Sequence, residues 1–266
     1  MRDRMIETIE MAVKEASCHA EIASSWKTPL VGFADAGDPL FGELKTAVRP
    51  THGLPGDLLP GARTVIAYFL PFDPTIPRSN HRGPYSSASW AVAYIETNRL
   101  ITVINERINR LLDHEGFRGT RLPATHNFDE EQLMSDWSHK HVAYVAGIGS
   151  FGHHHMLITD QGCCGRLGSV VTDAVIAPTP RIDRERCLFK FDGSCRKCEQ
   201  RCPASALEAD PFRRHDCYDR LLENARLHAR HGLADVCGKC AAIVPCSFTD
   251  PVKGACRKNR STRWSV

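Results

Sequence analysis

Apolar residues recur over the first 20 positions at Ile6, Ile9, Ala12, Val13 and Ala16, the spacing of one helix face. Prolines and glycines then punctuate the chain at Pro29, Gly37, Pro39, Pro50, Pro55, Gly56, Pro60 and Gly61, which leaves room only for short elements such as Leu30 to Ala34. Thr64 to Leu70 is an unbroken apolar run with β-branched and aromatic side chains, and it predicts a strand covered on both faces. After turns at Pro71, Pro74 and Pro77, the positions Ile101, Ile104, Ile108 and Leu111 predict an amphipathic helix over Ala88 to His114, ended by Gly116 and Gly119. A second long helix is predicted over Asp129 to Ala146. A glycine-rich turn follows at 147–152, then strands over Met156 to Thr159 and Val170 to Ile176. Strands alternating with helices place residues 1–180 in a mixed α/β class, α+β or α/β. Beyond Pro180 the texture changes to cysteines and turn residues. This predicts a boundary near 181, a second unit over 181–255 and a basic tail over 256–266.

Composition narrows the class. The 266 residues suit one large domain or a medium domain with a small module. With 42% hydrophobic and 24% charged residues, a wholly disordered, collagen-like or coiled-coil chain is excluded. No apolar run approaches the roughly 20 residues that span a bilayer. The start, Met1-Arg-Asp-Arg4, lacks the hydrophobic stretch and cleavage site of a secretory signal, so no membrane association and a cytoplasmic location are expected. A net charge of +3 is too near balance to argue for nucleic acid by bulk electrostatics. Residues 251–266 carry Lys253, Arg257, Lys258, Arg260 and Arg263 without an acid, and read as a solvated terminus, with RNA or an acidic partner as the alternative.

Cysteine is the informative residue. Of 12 in the chain, eight lie between Cys187 and Cys246, and such crowding in a cytoplasmic protein points to metal rather than to disulfides. Cys195-x2-Cys198-x3-Cys202-Pro203 is the closing part of a bacterial ferredoxin motif, in which the cysteine before proline serves the neighbouring cluster. The usual first cysteine is replaced by Asp192, and Cys187 stands in for it through a longer loop. A second group follows at Cys217, Cys237, Cys240 and Cys246, with a helix predicted around Tyr218, Leu221, Leu222 and Ala225 that folds one group back on the other. Ligand bookkeeping assigns Cys187, Cys195, Cys198 and Cys246 to one 4Fe-4S cluster, and Cys202, Cys217, Cys237 and Cys240 to another. A pair of four-cysteine zinc sites is the alternative, and the Cys-Pro pair with its exchanged ligand favours clusters. Cys18 and Cys256 read as ordinary small apolar residues. Cys163 and Cys164, flanked by Gly162 and Gly165, form a turn in which Cys163 is a candidate redox or catalytic thiol.

About 180 residues precede the cysteines, more than a ferredoxin needs. His141-Val-Ala-Tyr-Val-Ala-Gly147-Ile-Gly149-Ser-Phe-Gly152, Leu157-Ile-Thr, Arg166-Leu-Gly168-Ser-Val-Val-Thr-Asp173, Leu59-Pro60-Gly-Ala-Arg-Thr-Val-Ile66, Cys198-Glu-Gln-Arg-Cys202-Pro-Ala-Ser-Ala206 and Cys237-Gly-Lys-Cys240, taken in order, resemble the epoxyqueuosine reductases, relatives of the reductive dehalogenases. The resemblance covers most of 55–250. It implies a nitroreductase-like cobalamin domain followed by a two-cluster ferredoxin-like module, with electrons passing through both clusters to a corrinoid for reductive cleavage of an unidentified small-molecule substrate. Gly147, Gly149, Phe151, Gly152, His154, Leu157, Gly168 and Ser169 are the implied cofactor contacts. FMN is the alternative cofactor, and a non-catalytic electron carrier or corrinoid-handling protein the alternative role. A ferredoxin or flavodoxin is the expected electron donor. The family's acidic proton donor falls near Leu133, which is not an acid, leaving Asp129 and Asp136 as nearby candidates. Three histidines, 153–155, stand where Lys or Asn is usual, and read as surface residues or as cofactor contacts. The family's C-terminal helical repeats have no counterpart here, so transfer RNA is a doubtful substrate. His126, His139 and His141 read as structural or exposed.

Overall fold

The apolar run at 64–71 is the centre of the fold: all eight of its residues are buried. The computed structural model describes residues 1–124, 128–181, 183–208 and 211–253. Its elements in chain order are α1 (Arg2–Cys18), β1 (Leu30–Asp35), α2 (Leu40–Ala47), α3 (Pro55–Leu58), β2 (Thr64–Pro71), α4 (Thr75–Ser79), α5 (Ala88–His114), β3 (Phe128–Asp129), β4 (Met134–Ser135), α6 (His139–Val145), β5 (Gly149–Phe151), β6 (Leu157–Thr159), β7 (Gly165–Thr172), α7 (Leu188–Asp192), α8 (Lys197–Arg201) and α9 (Arg214–Leu227). The expected basic tail and Cys256 lie outside the described residues, as does His126.

The central sheet has the order β1-β2-β7, with Ala67 opposite Gly32 on one side and Ser169 on the other. Both pairings are antiparallel, so the α+β form of the expected mixed class describes it. Side chains alternate along β2. Ile66, Tyr68 and Leu70 face α1 and α5, packing with Met5, Ile9, Ile101, Ile104 and Ile108. Val65, Ala67 and Phe69 face α2 and α6, packing with Phe41, Leu44, Val142, Val145 and Trp137. The result is a helix-sheet-helix sandwich.

The helix predicted over Ala88 to His114 is α5, started by the Ser87 hydroxyl, which accepts from Trp90 N. The helix predicted over Asp129 to Ala146 is not continuous. Asp129 Oδ1 accepts the backbone N–H groups of Glu131 and Gln132, and Leu133 has φ 55°, so the chain turns as the β3-β4 hairpin and only α6 remains helical. The strand expected over Val170 to Ile176 starts earlier and stops earlier, as β7. Around the second cysteine group, α9 begins at Arg214, which places Cys217 inside the helix rather than before it.

Residues 183–208 and 211–253 carry α7, α8 and α9, and this part of the chain is hydrogen-bonded to the sandwich. Asn80 Nδ2 donates to Cys237 O at 2.8 Å, and the buried Lys239 ammonium donates to Asn80 O and Arg82 O at 3.0 and 2.7 Å. Cys163 N donates to Cys246 O at 3.0 Å. No described helix is long and apolar enough to cross a membrane.

Candidate functional site

The eight cysteines gather as two sets of four. Cys187 precedes α7, Gly193 ends that helix with φ 75°, Cys195 lies in the following loop, and Cys198 sits in α8. These three thiols and Cys246, brought back by the chain after Val244-Pro245, line one small cavity with His153 and His154. Cys202 ends α8, Cys217 projects from the first turn of α9, and Cys237 and Cys240 flank a turn at Gly238, φ 67°. This set lines a second cavity of about 400 Å³, whose wall includes Trp90, Tyr94, Met156, Cys163, Arg166 and Leu221.

Burial is the main electrostatic fact at Cys198, Cys217, Cys237 and Cys240. It pushes the Cys198 thiol up to about 12, with Cys246, Cys187 and Cys195 adding to the shift. It pushes Cys217 up to about 11, with Cys237 and Cys202 adding. Cys240 is raised by burial and, among others, by members of both sets, Cys237, Cys217, Cys202 and Cys198, so the two sets are electrostatic neighbours. Four thiolates in one low-dielectric cavity repel one another, and bound metal is what relieves that repulsion. The donor sets therefore fit two four-thiolate metal centres.

A third cavity, of about 500 Å³, shares Lys140, His155, Phe212, Cys217 and Leu221 with the second. Its wall adds Phe128, Leu133, Met134, His141, Phe151, Lys190, Arg214 and Tyr218, and holds three cations with no carboxylate. Burial lowers Lys140, whose ammonium donates to His155 O at 3.3 Å. His141 is lowered to about 3, by burial first and then by Lys140. The cavity is walled mainly by apolar side chains, carries cations suited to an anionic group, and lies against the second cysteine set.

The expected cofactor contacts only partly reach these cavities. Phe151 and Gly152 line the third and His154 the second, while Gly147 and Gly149 border a separate surface cleft with Phe151 and Arg181. Leu157, Gly168 and Ser169 line none of the described cavities. Leu157 is core, Gly168 lies under the Tyr68 ring, and the buried Ser169 hydroxyl joins Trp137 Nε1 and His139 Nδ1, each at 2.9 Å. Their small size serves the packing of β7 against its neighbours.

The acid candidates are tied down. Asp129 pairs with Arg49 at 3.1 Å and is held below the usual carboxylate range chiefly by the Gln132 N–H; Asp136 pairs with Arg49 at 3.4 Å and accepts the Thr51 hydroxyl at 2.6 Å. Both brace the β3-β4 hairpin, and neither lines the third cavity. Leu133 does line it, so the wall carries no carboxylate where an acid was sought. Cys163 is 2% exposed, and its hydrogen bond with Cys164 raises its thiol first, which makes it a poor nucleophile at neutral pH. Lys140, Lys190, Arg214 and Lys239 were not singled out by the sequence, because isolated basic residues carry no motif.

No family model matches the chain. It is 31% identical over 160 residues to an epoxyqueuosine reductase of Bacillus anthracis, an alignment covering 56% of this chain and 37% of that one. It is 32% identical over 131 residues to a tetrachloroethene reductive dehalogenase of Desulfitobacterium hafniense, covering 47% and 22%. The matched part thus spans well under half of either relative. Among solved structures, an epoxyqueuosine reductase with an epoxyqueuosine-modified tRNA stem loop superposes with a TM-score of 0.53 at 20% identity, covering 91% of this chain and 66% of that one, a likeness of fold. Over about half of its length the chain is thus similar in sequence to epoxyqueuosine reductases and reductive dehalogenases, and in fold to an epoxyqueuosine reductase.

Proposed function

We propose that the chain is an iron–sulfur reductase in which Cys187, Cys195, Cys198 and Cys246 hold one 4Fe-4S cluster, Cys202, Cys217, Cys237 and Cys240 hold a second, and the adjoining cavities take a corrinoid. The observation that carries this reading is the partition of eight cysteines into two sets of four, each lining its own cavity, with the second cavity opening beside the one edged by Lys140. Clusters in these positions supply one-electron transfer, and a corrinoid supplies a strongly nucleophilic reduced metal.

The protein's own contribution is positional. Phe128, Phe151, Phe212 and Leu221 give the third cavity its apolar wall, and Lys140, Lys190 and Arg214 attract the phosphate of a corrinoid's nucleotide tail or an anionic substrate. Proton-carrying groups on that wall are Lys140 and Tyr218, and these take the place of a carboxylic acid. A one-electron donor such as a ferredoxin or flavodoxin feeds the set nearer the surface.

The printed names of the relatives supply the substrates to test first. The doubt about transfer RNA has no support from them, since one solved neighbour carries a modified tRNA stem loop. Epoxyqueuosine-containing transfer RNA is therefore the first substrate to offer, and an organohalide the second. The test of the reading is anaerobic reconstitution with iron and sulfide followed by titration with cob(II)alamin. Brown protein whose added corrinoid changes spectrum stoichiometrically supports it; protein that ignores cobalamin and takes up FMN instead overturns the corrinoid assignment.

A further inference from the structure

The three consecutive histidines separate into two roles. His155 has φ 59° and stacks on Phe212 with ring centroids 4.7 Å apart, facing the third cavity. His153 and His154 reach the first cysteine set, and His153 borders the third cavity as well. The His153 backbone N–H lies 3.4 Å from Cys187 Sγ, and its ring is fixed by Glu199 Oε1 at 2.5 Å and by Phe189, 4.1 Å away between centroids. Glu199 follows Cys198 directly, so the clamp closes on the helix that carries a member of the set.

The tautomer of His154 follows from its neighbours. Met156 N donates to His154 Nδ1 at 3.1 Å, so Nδ1 is an acceptor and a neutral ring carries its proton on Nε2. That nitrogen lies 3.3 Å from Cys246 Sγ. His154 is 5% exposed, so water does not compete for the contact. Room for the ring comes from Gly152, where a Cβ would stand 2.6 Å from His154 Cε1. His154, Cys163 and Cys246 also come within 4.8 Å of one another, close enough to suggest a metal site of their own, yet the Nε2 proton makes His154 a donor rather than a ligand. The ring lines both cysteine cavities and stands between the two sets.

We propose that His154, through Nε2–H to Cys246 Sγ and assisted by the His153 N–H to Cys187 Sγ, is a positioning residue that raises the reduction potential of the cluster held by Cys187, Cys195, Cys198 and Cys246. This rests on the two-cluster reading above. An N–H donor to a ligating sulfur stabilises the more negative, reduced cluster, so its loss lowers the potential.

The test is a redox titration of the anaerobically loaded full chain, followed by electron paramagnetic resonance, for wild type, His154→Leu and His154→Gln. The expected result is a negative shift of one cluster midpoint in His154→Leu, an unmoved second midpoint, and substantial recovery in His154→Gln, which keeps an N–H donor. Loaded clusters whose potentials are the same in all three, or both variants shifted equally, overturn this assignment alone. Absence of iron and sulfide from the wild type overturns the reading beneath it. A measurement independent of folding in the variants uses wild type carrying ¹⁵N-histidine: weak coupling of one Nε2 nitrogen to the reduced cluster is expected, whereas no coupling, or the strong coupling of a directly ligated nitrogen, overturns the proposal.

Discussion

Gly152 and His154 work as a pair, because the ring occupies the space that any larger residue at 152 would need. Gly152→Ala is expected to cost about 1–3 kcal/mol of stability by overpacking and to lower the same cluster midpoint as His154→Leu, checked by chemical denaturation and redox titration. His141 makes a different statement. Its imidazole is held neutral to about pH 3 by burial, while the unfolded chain protonates near the ordinary 6.5. A depressed folded value means that the unfolded state binds the extra proton, so stability is full above about pH 6.5 and is lost on acidification down to about 3. The slope from this group is about 1 kcal/mol per pH unit. Subtracting the pH dependence of His141→Asn from that of wild type in urea unfolding should isolate this slope; identical profiles for the two proteins speak against it.

Among the elements, the contact between the sandwich and the cysteine-rich segment includes a buried cation beside the Asn80–Cys237 and Cys163–Cys246 hydrogen bonds. Lys239 lies between Cys237 and Cys240 and reaches the carbonyls of Asn80 and Arg82, so Lys239→Met strands two acceptors and is expected to cost about 1–3 kcal/mol, read by urea unfolding. The same elements mark what a sequence can disclose. Helix α5 and strand β2 were readable because their side-chain periods are local, and the expectation of two four-cysteine sets came from spacing and motif order. The β3-β4 hairpin was not, because an aspartate turn and the positive φ of Leu133 overrule a helical-looking pattern. The β1-β2-β7 order was equally hidden, since it joins residues about a hundred positions apart. Gly168 and Ser169, expected as cofactor contacts, have Tyr68 and Trp137 as neighbours, which a motif cannot disclose because it records identity without saying which neighbour fills the space. The contact of His154 with Cys246 spans 92 positions and carries no local signal at all.

For the molecule as a whole, the two cysteine sets are neighbours, yet each lines a cavity of its own. Replacing one member of the second set should therefore spare the first. Cys217→Ala is expected to cut iron from about eight to about four per chain and to abolish the spectral response to added corrinoid while leaving the other cluster's signal in place. Loss of both signals together argues that the sets do not assemble independently. The central claim is that eight thiolates hold two iron–sulfur clusters beside a cofactor cavity, and metal analysis of the anaerobically reconstituted chain tests it most directly. About eight iron and eight acid-labile sulfide per chain, with the brown absorbance of 4Fe-4S centres, is the expected result; colourless protein holding two zinc ions and no sulfide would contradict it.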